Sequence, residues 1–401
     1  MTAFVGKQRK VLIIVENLPV PFDRRVWQEA TTLQAAGYLV SIICPTGKDY
    51  EEKRETLLGV HIYRYRLPLE GRGFLGYVFE YGWSLAAQFM LACRVLREHG
   101  FDAIHACNPP DNIFLIGGFF KLFGKRFLFD HHDINPELFE AKFGKRGLLH
   151  RALVLSERLT FMTANVSIAT NESYRKIAIT RGRMNPDKVI VVRSGPDLDR
   201  VKLVAPNADL KVGKKYLVGY VGVMGEQEGI DLLLRTVQII VQEKGRRDIH
   251  FGLVGGGTEL ETMKSYAAEL GVADFVTFTG RIPDEPMLEM LSTADVCINP
   301  DVANEMNDKS TMNKIMEYMA LGKPIVQFDL TEGRYSARDA SVYAQANDVD
   351  DLANKILELL GDEKRRERMG NYGKHRVETE LQWAIEAPKL LAAYDILFES
   401  K

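Results

Sequence analysis

The sequence predicts an α/β protein built as two doubly wound domains in tandem, on three observations. Strand-like and helix-like patterns alternate along the 401 residues. The alternation pauses once, at 196–213 (PDLDRVKLVAPNADLKVG), and then resumes. The length exceeds one ordinary core and suits two of roughly 200 residues each. Alternating β and α elements imply parallel sheets with helices on both faces. Two such sheets are expected to face a central cleft at the carboxyl ends of their strands, where sheets of this kind bind ligands.

In the first series, short apolar runs rich in β-branched residues predict strands at 10–15 (KVLIIV), 39–44 (LVSIIC), 60–65, 103–106, 126–130, 166–169 and 189–193. A helix is expected over 24–37, ending in glycine. The segment 196–213 is polar, carries two prolines and has poor periodicity, so it reads as a linker. The second series predicts strands at 216–220, 249–254, 275–278, 296–299 and 324–328, with helices after Gly229, Glu259, Glu285 and Thr311. Three helices, 349–360, 363–376 and 383–398, follow. The expected domains are 1–205 with the last helix, 383–401, and 206–382.

The net charge is −2, with 46% hydrophobic and 26% charged residues, so nothing global points to nucleic acid. The halves differ: residues 1–200 hold 28 Lys+Arg against 21 Asp+Glu, and residues 201–401 hold 24 against 33. A basic first half and an acidic second half suggest a different partner for each. Cys44, Cys93, Cys107 and Cys297 form no C-x-x-C pair, which fits a reducing compartment. The start, MTAFVGKQRK, lacks the apolar core of a signal peptide, and no run of about 18 apolar residues occurs, so a cytoplasmic protein is expected. The stretch 74–96 is apolar and helical, with Tyr81, Leu85 and Phe89 on one face. The segments 119–126 (FFKLFGKR) and 139–146 (FEAKFGKR) mix aromatic and basic residues. That chemistry suits an anionic membrane surface, a core role being the alternative.

Two glycine loops follow strands of the second series: Gly219-Tyr-Val-Gly222-Val-Met-Gly225 and Gly255-Gly256-Gly257. Glycines there let backbone approach a ligand, and a helix start attracts anions; a tight structural turn explains them equally. The stretch 307–324 (NDKSTMNKIMEYMALGKP) predicts a helix capped by Ser310 or Thr311 and ended by Gly322. Its start offers N–H groups to a phosphate, with Lys309 and Lys314 as counter-charges. Glu317 lies about 9 Å further along the axis, suited to ribose hydroxyls while phosphates rest at the helix start. Asp197-Leu-Asp199 enters the linker, and Asp348 reads as a cap, so neither is taken as a metal site.

These residues carry a specific resemblance. The run 317–326 (EYMALGKPIV) is similar to the end of the E-x7-E region of retaining family 4 glycosyltransferases. Asp23-Arg24-Arg25-Val26 with Glu29 and Gly37, Arg193-Ser194-Gly195-Pro196-Asp197, Gly255-Gly256-Gly257 and Phe278-Thr279-Gly280-Arg281-Ile282 resemble further landmarks of that family, in order. The resemblance implies a GT-B fold, two Rossmann-like domains, and transfer of a sugar from a nucleotide diphosphate. Among family members the chain resembles a bacterial surface-polysaccharide branch. That implies a UDP-sugar donor, a hexose or N-acetylhexosamine-type sugar, a polyprenyl-diphosphate-linked glycan acceptor, and a peripheral position on the inner membrane face. No metal is implied.

The resemblance places His132, paired with Asp133, beside the donor sugar. It places Gly222, Val223, Arg193, Gly255, Gly257, Arg281, Ile282, Ser310, Thr311, Met312, Asn313, Lys314 and Glu317 around the donor, and Arg25, Asn108 and Glu137 on the acceptor side. Three departures stand out. Lys309 occupies the position of the first Glu of E-x7-E. Val223 and Glu228 replace the usual Arg and Lys of the first glycine loop. Glu16-Asn17-Leu18-Pro19 replaces a glycine pair. The phosphate cation is therefore expected to be Lys309, with Lys314 and Arg193 as the other candidates. A nucleotide-sugar epimerase and a non-catalytic pseudo-transferase subunit are the alternatives.

Overall fold

The structure, a computed structural model, describes residues 8–47, 49–67, 73–144 and 146–399, with the side chains of 73–80 excepted. The chain divides into two compact units, Met1–Ser194 with Glu386–Lys401, and Gly195–Ile385. The first division thus falls at Ser194, not at 205. The segment read as a linker belongs to the second unit: Val201 is buried there, and Leu198, Val204 and Leu210 pack on the same cluster as Leu217 and Leu291. Its polar composition hid four apolar side chains spaced to grip that surface.

The first unit holds eight strands: β1 Lys10–Ile14, β2 Leu39–Pro45, β3 Arg54–Leu57, β4 Val60–Tyr65, β5 Ala103–Cys107, β6 Arg126–His131, β7 Val166–Ala169 and β8 Val189–Val191. Their order is β3-β4-β2-β1-β5-β6-β7-β8, parallel except for β3. Strands β1 and β5 are apolar and almost fully buried, as a sheet covered on both faces requires. The expected strands are all present; β3 is additional. It is a polar edge strand joined to β4 by a two-residue turn, Leu58-Gly59, both with positive φ. The helix Arg24–Ala35 starts where Asp23 accepts from the Val26 amide.

The second unit has six parallel strands: β9 Tyr216–Val221, β10 Ile249–Val254, β11 Val276–Gly280, β12 Val296–Asn299, β13 Ile325–Phe328 and β14 Ser341–Ala344. Their order is β11-β10-β9-β12-β13-β14. The order reverses beside β9, so the loops after β9 and β12 meet at the switch point of the sheet. Strand β14, four residues long, was not anticipated. No described helix is long and apolar enough to cross a membrane.

Candidate functional site

In the second unit the residues expected to bind donor gather at the carboxyl ends of β9, β10, β11 and β12. The loop after β9 lies directly on the loop after β10. The Gly222 amide donates to Val254 O (3.0 Å), the Met224 amide to Gly256 O (3.0 Å), and the Glu259 amide to Met224 O (3.0 Å). This contact explains the glycines. Gly255 has φ +140, and a Cβ there would lie 1.7 Å from Gly222 O; one on Gly257 would lie 2.3 Å from Met224 O. Gly255 and Gly257 are therefore required by loop packing whatever else they touch. Val223, at the position of the family's Arg, is 60% exposed at the loop tip. Arg281 is exposed and its backbone borders Gly256, whereas Ile282 packs on the apolar cluster beneath.

The helix expected from Ser310 or Thr311 is present from Asn313, and a second, short helix that was not anticipated precedes it. A short one, Glu305–Lys309, is capped by the Asn304 side chain, and the main one is Asn313–Ala320 with Met312 at its N-cap and no side-chain cap bond. Ser310 donates to Met306 O (2.8 Å), so it closes the first helix instead of opening the second. Thr311 and Met312 are half-buried and Asn313 is exposed at the start of the main helix. Lys309 lies at the end of the short helix and pairs with Glu305 one turn back (2.6 Å). It does not stand at the start of the Glu317 helix, as the sequence led us to expect.

Lys314 stands there instead. Its Nζ is 2.5 Å from Glu228 Oε2 and 2.8 Å from Asp301 Oδ1, and lies 5.0 Å from the Tyr220 ring centroid. A Cβ on Gly222 would lie 3.3 Å from this nitrogen, so the ammonium borders the glycine loop. The 225–229 turn carrying Glu228 is stapled to the 300–307 segment carrying Asp301. The Val302 amide and Asn307 Nδ2 both donate to Gln227 O, at 3.1 and 2.8 Å. Only glycine fits at 229, because a Cβ there would meet Pro300 O at 2.0 Å. Burial alone would lower the Lys314 pKa, but Asp301 and Glu228 outweigh it and raise it. Burial works to raise Glu228, and Lys314 reverses this and lowers it. Asp301 is pushed up to about 7, by burial first, with Lys314 opposing and Glu228 adding. The carboxylate where the family has lysine is thus answered by a lysine on the facing helix.

Glu317 is one helical turn beyond Lys314 and is half-buried, its Oε1 2.5 Å from Arg200 Nη2; Arg200 also reaches Asp284 (3.3 Å). Tyr318 beside it is fully buried; its hydroxyl accepts from the Val221 amide (2.9 Å) and fixes the helix to β9. Arg200, Asp301 and Tyr318 were not singled out in the sequence. A signal for Asp301 existed, since it ends a buried strand one β–α unit from the glycine loops.

The first unit holds a buried charged network at the carboxyl ends of β5 and β6. Arg25 bonds Asp130 through Nη2 (2.8 Å) and Nε (3.1 Å), His132 Nε2 (3.0 Å), Val192 O (2.8 Å) and Ser194 Oγ (3.1 Å), and pairs with Glu29 (3.1 Å). Its guanidinium is saturated by protein, so it holds this network together. His132 is paired with Asp130, not Asp133; its Nε2 meets Asp130 Oδ2. Burial would raise the Asp130 carboxyl, but Arg25 and then His132 hold it well below the usual range. Asp133 is raised by burial, against the pull of His132. Asn108 accepts from the His132 and Asp133 amides (2.7 and 3.2 Å) and donates to Asp111 Oδ1 and Asp133 O (2.8 and 2.6 Å). With its two donors and two acceptor positions used it clamps the histidine loop. Glu137 forms a two-bond pair with Arg181 (2.8 and 3.1 Å) at 6% exposure, again a structural pair. Arg193 is buried in this unit, its amide donating to Glu386 Oε2 (3.0 Å).

Glu29, His105, Cys107 and Asp130 bring possible metal-ligand atoms within 4.8 Å of one another. The Arg25 guanidinium already lies on two of them, burial drives Glu29 well above and His105 below their ordinary values, and the Cys107 thiol is pushed up by burial. Asp130 is the anion that answers Arg25, and Glu29, His105 and Cys107 around it are held towards their neutral forms.

Residues 23–200 match the family described as Glycosyltransferase Family 4, and residues 215–362 that described as Glycosyl transferases group 1. A GDP-mannose-dependent alpha-(1-6)-phosphatidylinositol monomannoside mannosyltransferase of Mycolicibacterium smegmatis is 29% identical over 215 residues, 49% of this chain and 53% of its own. The chain thus spans about half the length of this curated relative. Sucrose-phosphate synthase from Thermosynechococcus elongatus has a TM-score of 0.77 at 18% identity, covering 98% of this chain and all of that one. HepE of Anabaena, solved in complex with UDP and glucose, has a TM-score of 0.73 at 16% identity over 97% of this chain and all of its own. Both halves carry the family's match and nearly the whole chain carries its architecture: the protein belongs to the family 4 glycosyltransferases and has the GT-B fold.

Proposed function

We propose that the protein transfers a hexose or N-acetylhexosamine-type sugar from a UDP-sugar to a glycan acceptor carried on polyprenyl diphosphate. The role is surface polysaccharide synthesis at the inner membrane face, with retention at the anomeric carbon. The observation that carries this reading is the set of groups at the head of the helix Asn313–Ala320. A buried ammonium, Lys314, borders the glycine loop, and a carboxylate, Glu317, follows one turn on. Diphosphate on the first and ribose on the second would lie along one helix. A fixed cation and a helix start favour a leaving diphosphate more as its charge grows, so catalysis is mainly electrostatic and needs no metal. UDP as the nucleotide draws on HepE, which was solved with it; GDP is the donor in the mannosyltransferase's name.

The membrane partner draws on the first unit. Leu122, Phe123, Leu148, Leu155 and Met162 are exposed on or beside the packed helices Phe114–Lys121 and Leu148–Thr163, with Lys142 and Arg146 exposed nearby in sequence. Lys145 and the side chains of 74–80 lie outside the described residues. Apolar side chains among cations suit anionic lipid.

The test supplies UDP-sugars and GDP-sugars with a polyprenyl-diphosphate-linked acceptor in anionic vesicles, with and without EDTA. Expected are co-sedimentation with the vesicles, nucleotide release that requires acceptor, and a product of retained configuration, all unchanged by EDTA. Interconversion of donor sugars without acceptor would make the protein an epimerase. Loss of turnover in EDTA, restored by Mg²⁺, would overturn metal independence.

A further inference from the structure

Lys314, Glu228 and Asp301 form a compact cluster from three separate elements: the helix Asn313–Ala320, the turn after β9 and the segment after β12. The cluster is buried, at 10%, 16% and 1% exposure. Two carboxyl groups meet one ammonium, within 2.5 and 2.8 Å. Asp301 and Glu228 also meet each other through their side chains, a contact that is a hydrogen bond only when one of the two carboxyls carries a proton. Two enclosed carboxylates side by side repel when both are charged, and one shared proton removes that cost.

We infer that Asp301 and Glu228 tune the affinity for the donor, setting through Lys314 the net charge that a nucleoside diphosphate meets beside the Gly222 loop. The inference rests on the reading of Lys314 as the diphosphate cation. With one proton on the carboxyl pair the cluster is neutral; without it the cluster is −1 and repels a diphosphate. The groups that face it are few. Tyr220 from β9 donates to Glu228 Oε2 (3.1 Å), Tyr318 lies on the Lys314 helix, and Cys297 lies on β12 behind Tyr318. Burial pushes both phenols well above their ordinary value and the thiol up to about 12, so all three stay neutral. Lys314 stays charged because its pKa is raised. The group left to titrate near neutrality is the carboxyl of Asp301, raised to about 7 by burial and by Glu228. The sign follows: below that value the cluster is neutral and donor binds well, and above it the cluster gains a negative charge and binding weakens.

The experiment is calorimetric titration of the full chain with a UDP-sugar and with a GDP-sugar at about pH 5.5 and about pH 8.5. Sugar nucleotides are used because their diphosphate diesters do not titrate in that range. Affinity is expected to fall by about tenfold or more at the higher pH. In Asp301→Asn and in Glu228→Gln one carboxylate is left with Lys314, the cluster stays neutral, and affinity is expected to be flat with pH. Circular dichroism checks that both variants fold. Flat binding in the wild-type protein, or an undiminished slope in both folded variants, would overturn this inference and leave the donor reading standing. Binding of neither nucleotide sugar at either pH would instead overturn the donor reading itself.

Discussion

At the scale of single residues, the pairing of Glu317 with Arg200 has a direct consequence. A ribose that takes Glu317 must compete with a guanidinium 2.5 Å away. Removing Glu317 deletes a charge-assisted acceptor, so Glu317→Ala is expected to weaken nucleotide-sugar binding by about 1.5–3 kcal/mol. Arg200→Ala removes the competitor and is expected to leave affinity equal or tighter. If calorimetry shows Glu317→Ala unchanged, or Arg200→Ala as damaging as Glu317→Ala, Glu317 does not hold the ribose. Residue type was legible at most of these positions; partnership was not. Glu228 in place of a cation could be read from the sequence, but its neutraliser lies 86 residues away on another element. His132 was expected to pair with its neighbour in sequence, Asp133, and meets Asp130 instead. On a strand end, alternate residues face the same side, so positions 130 and 132 meet while 133 turns away. Arg25, Asn108 and Glu137 were placed on the acceptor side by the family resemblance. Their hydrogen bonds go to the protein, which no single-residue reading detects.

At the scale of elements, the glycine loops show which backbone contacts the fold needs. Gly255→Ala places a Cβ against Gly222 O at a φ of +140. Strain of about 1–3 kcal/mol is expected from the backbone conformation, before the clash is counted. The melting temperature should fall by roughly 2–4 °C for each kcal/mol. Gly361→Ala, where a Cβ would meet nothing within 4 Å, is the control and is expected to be neutral or slightly stabilising. Equal melting temperatures for the two variants in a thermal scan would show that the loops do not depend on this contact. The parallel strands were legible because a sheet covered on both faces writes itself as apolar runs. Strand β3 was not, since an edge strand facing solvent is polar, and β14 is only a four-residue turn of pattern between helices. The helix near Ser310 was found but not the short one before it, Glu305–Lys309, which the Asn304 side chain caps and which is only five residues long.

At the scale of the whole molecule, two α/β units follow from alternation and length, and the last helix, Trp383–Glu399, spans the division at Ile385/Glu386. Where each unit ends was less legible, because boundary segments such as 196–213 are classified by what they pack on and not by composition. The basic and acidic halves translate into separate chemistry: exposed apolar and cationic side chains in the first unit, and a charge-balanced cluster around Lys314 in the second. The central claim is that the nucleotide sugar binds in the second unit, on the glycine loop and the head of the Lys314–Glu317 helix. Hydrogen-exchange mass spectrometry with and without a nucleotide sugar tests this most directly, since amides held by a ligand exchange more slowly. The account predicts that donor slows exchange in peptides covering 222–229 and 311–318, and that this protection is lost in Lys314→Ala. Protection confined to other segments, or equal protection in Lys314→Ala, would contradict it.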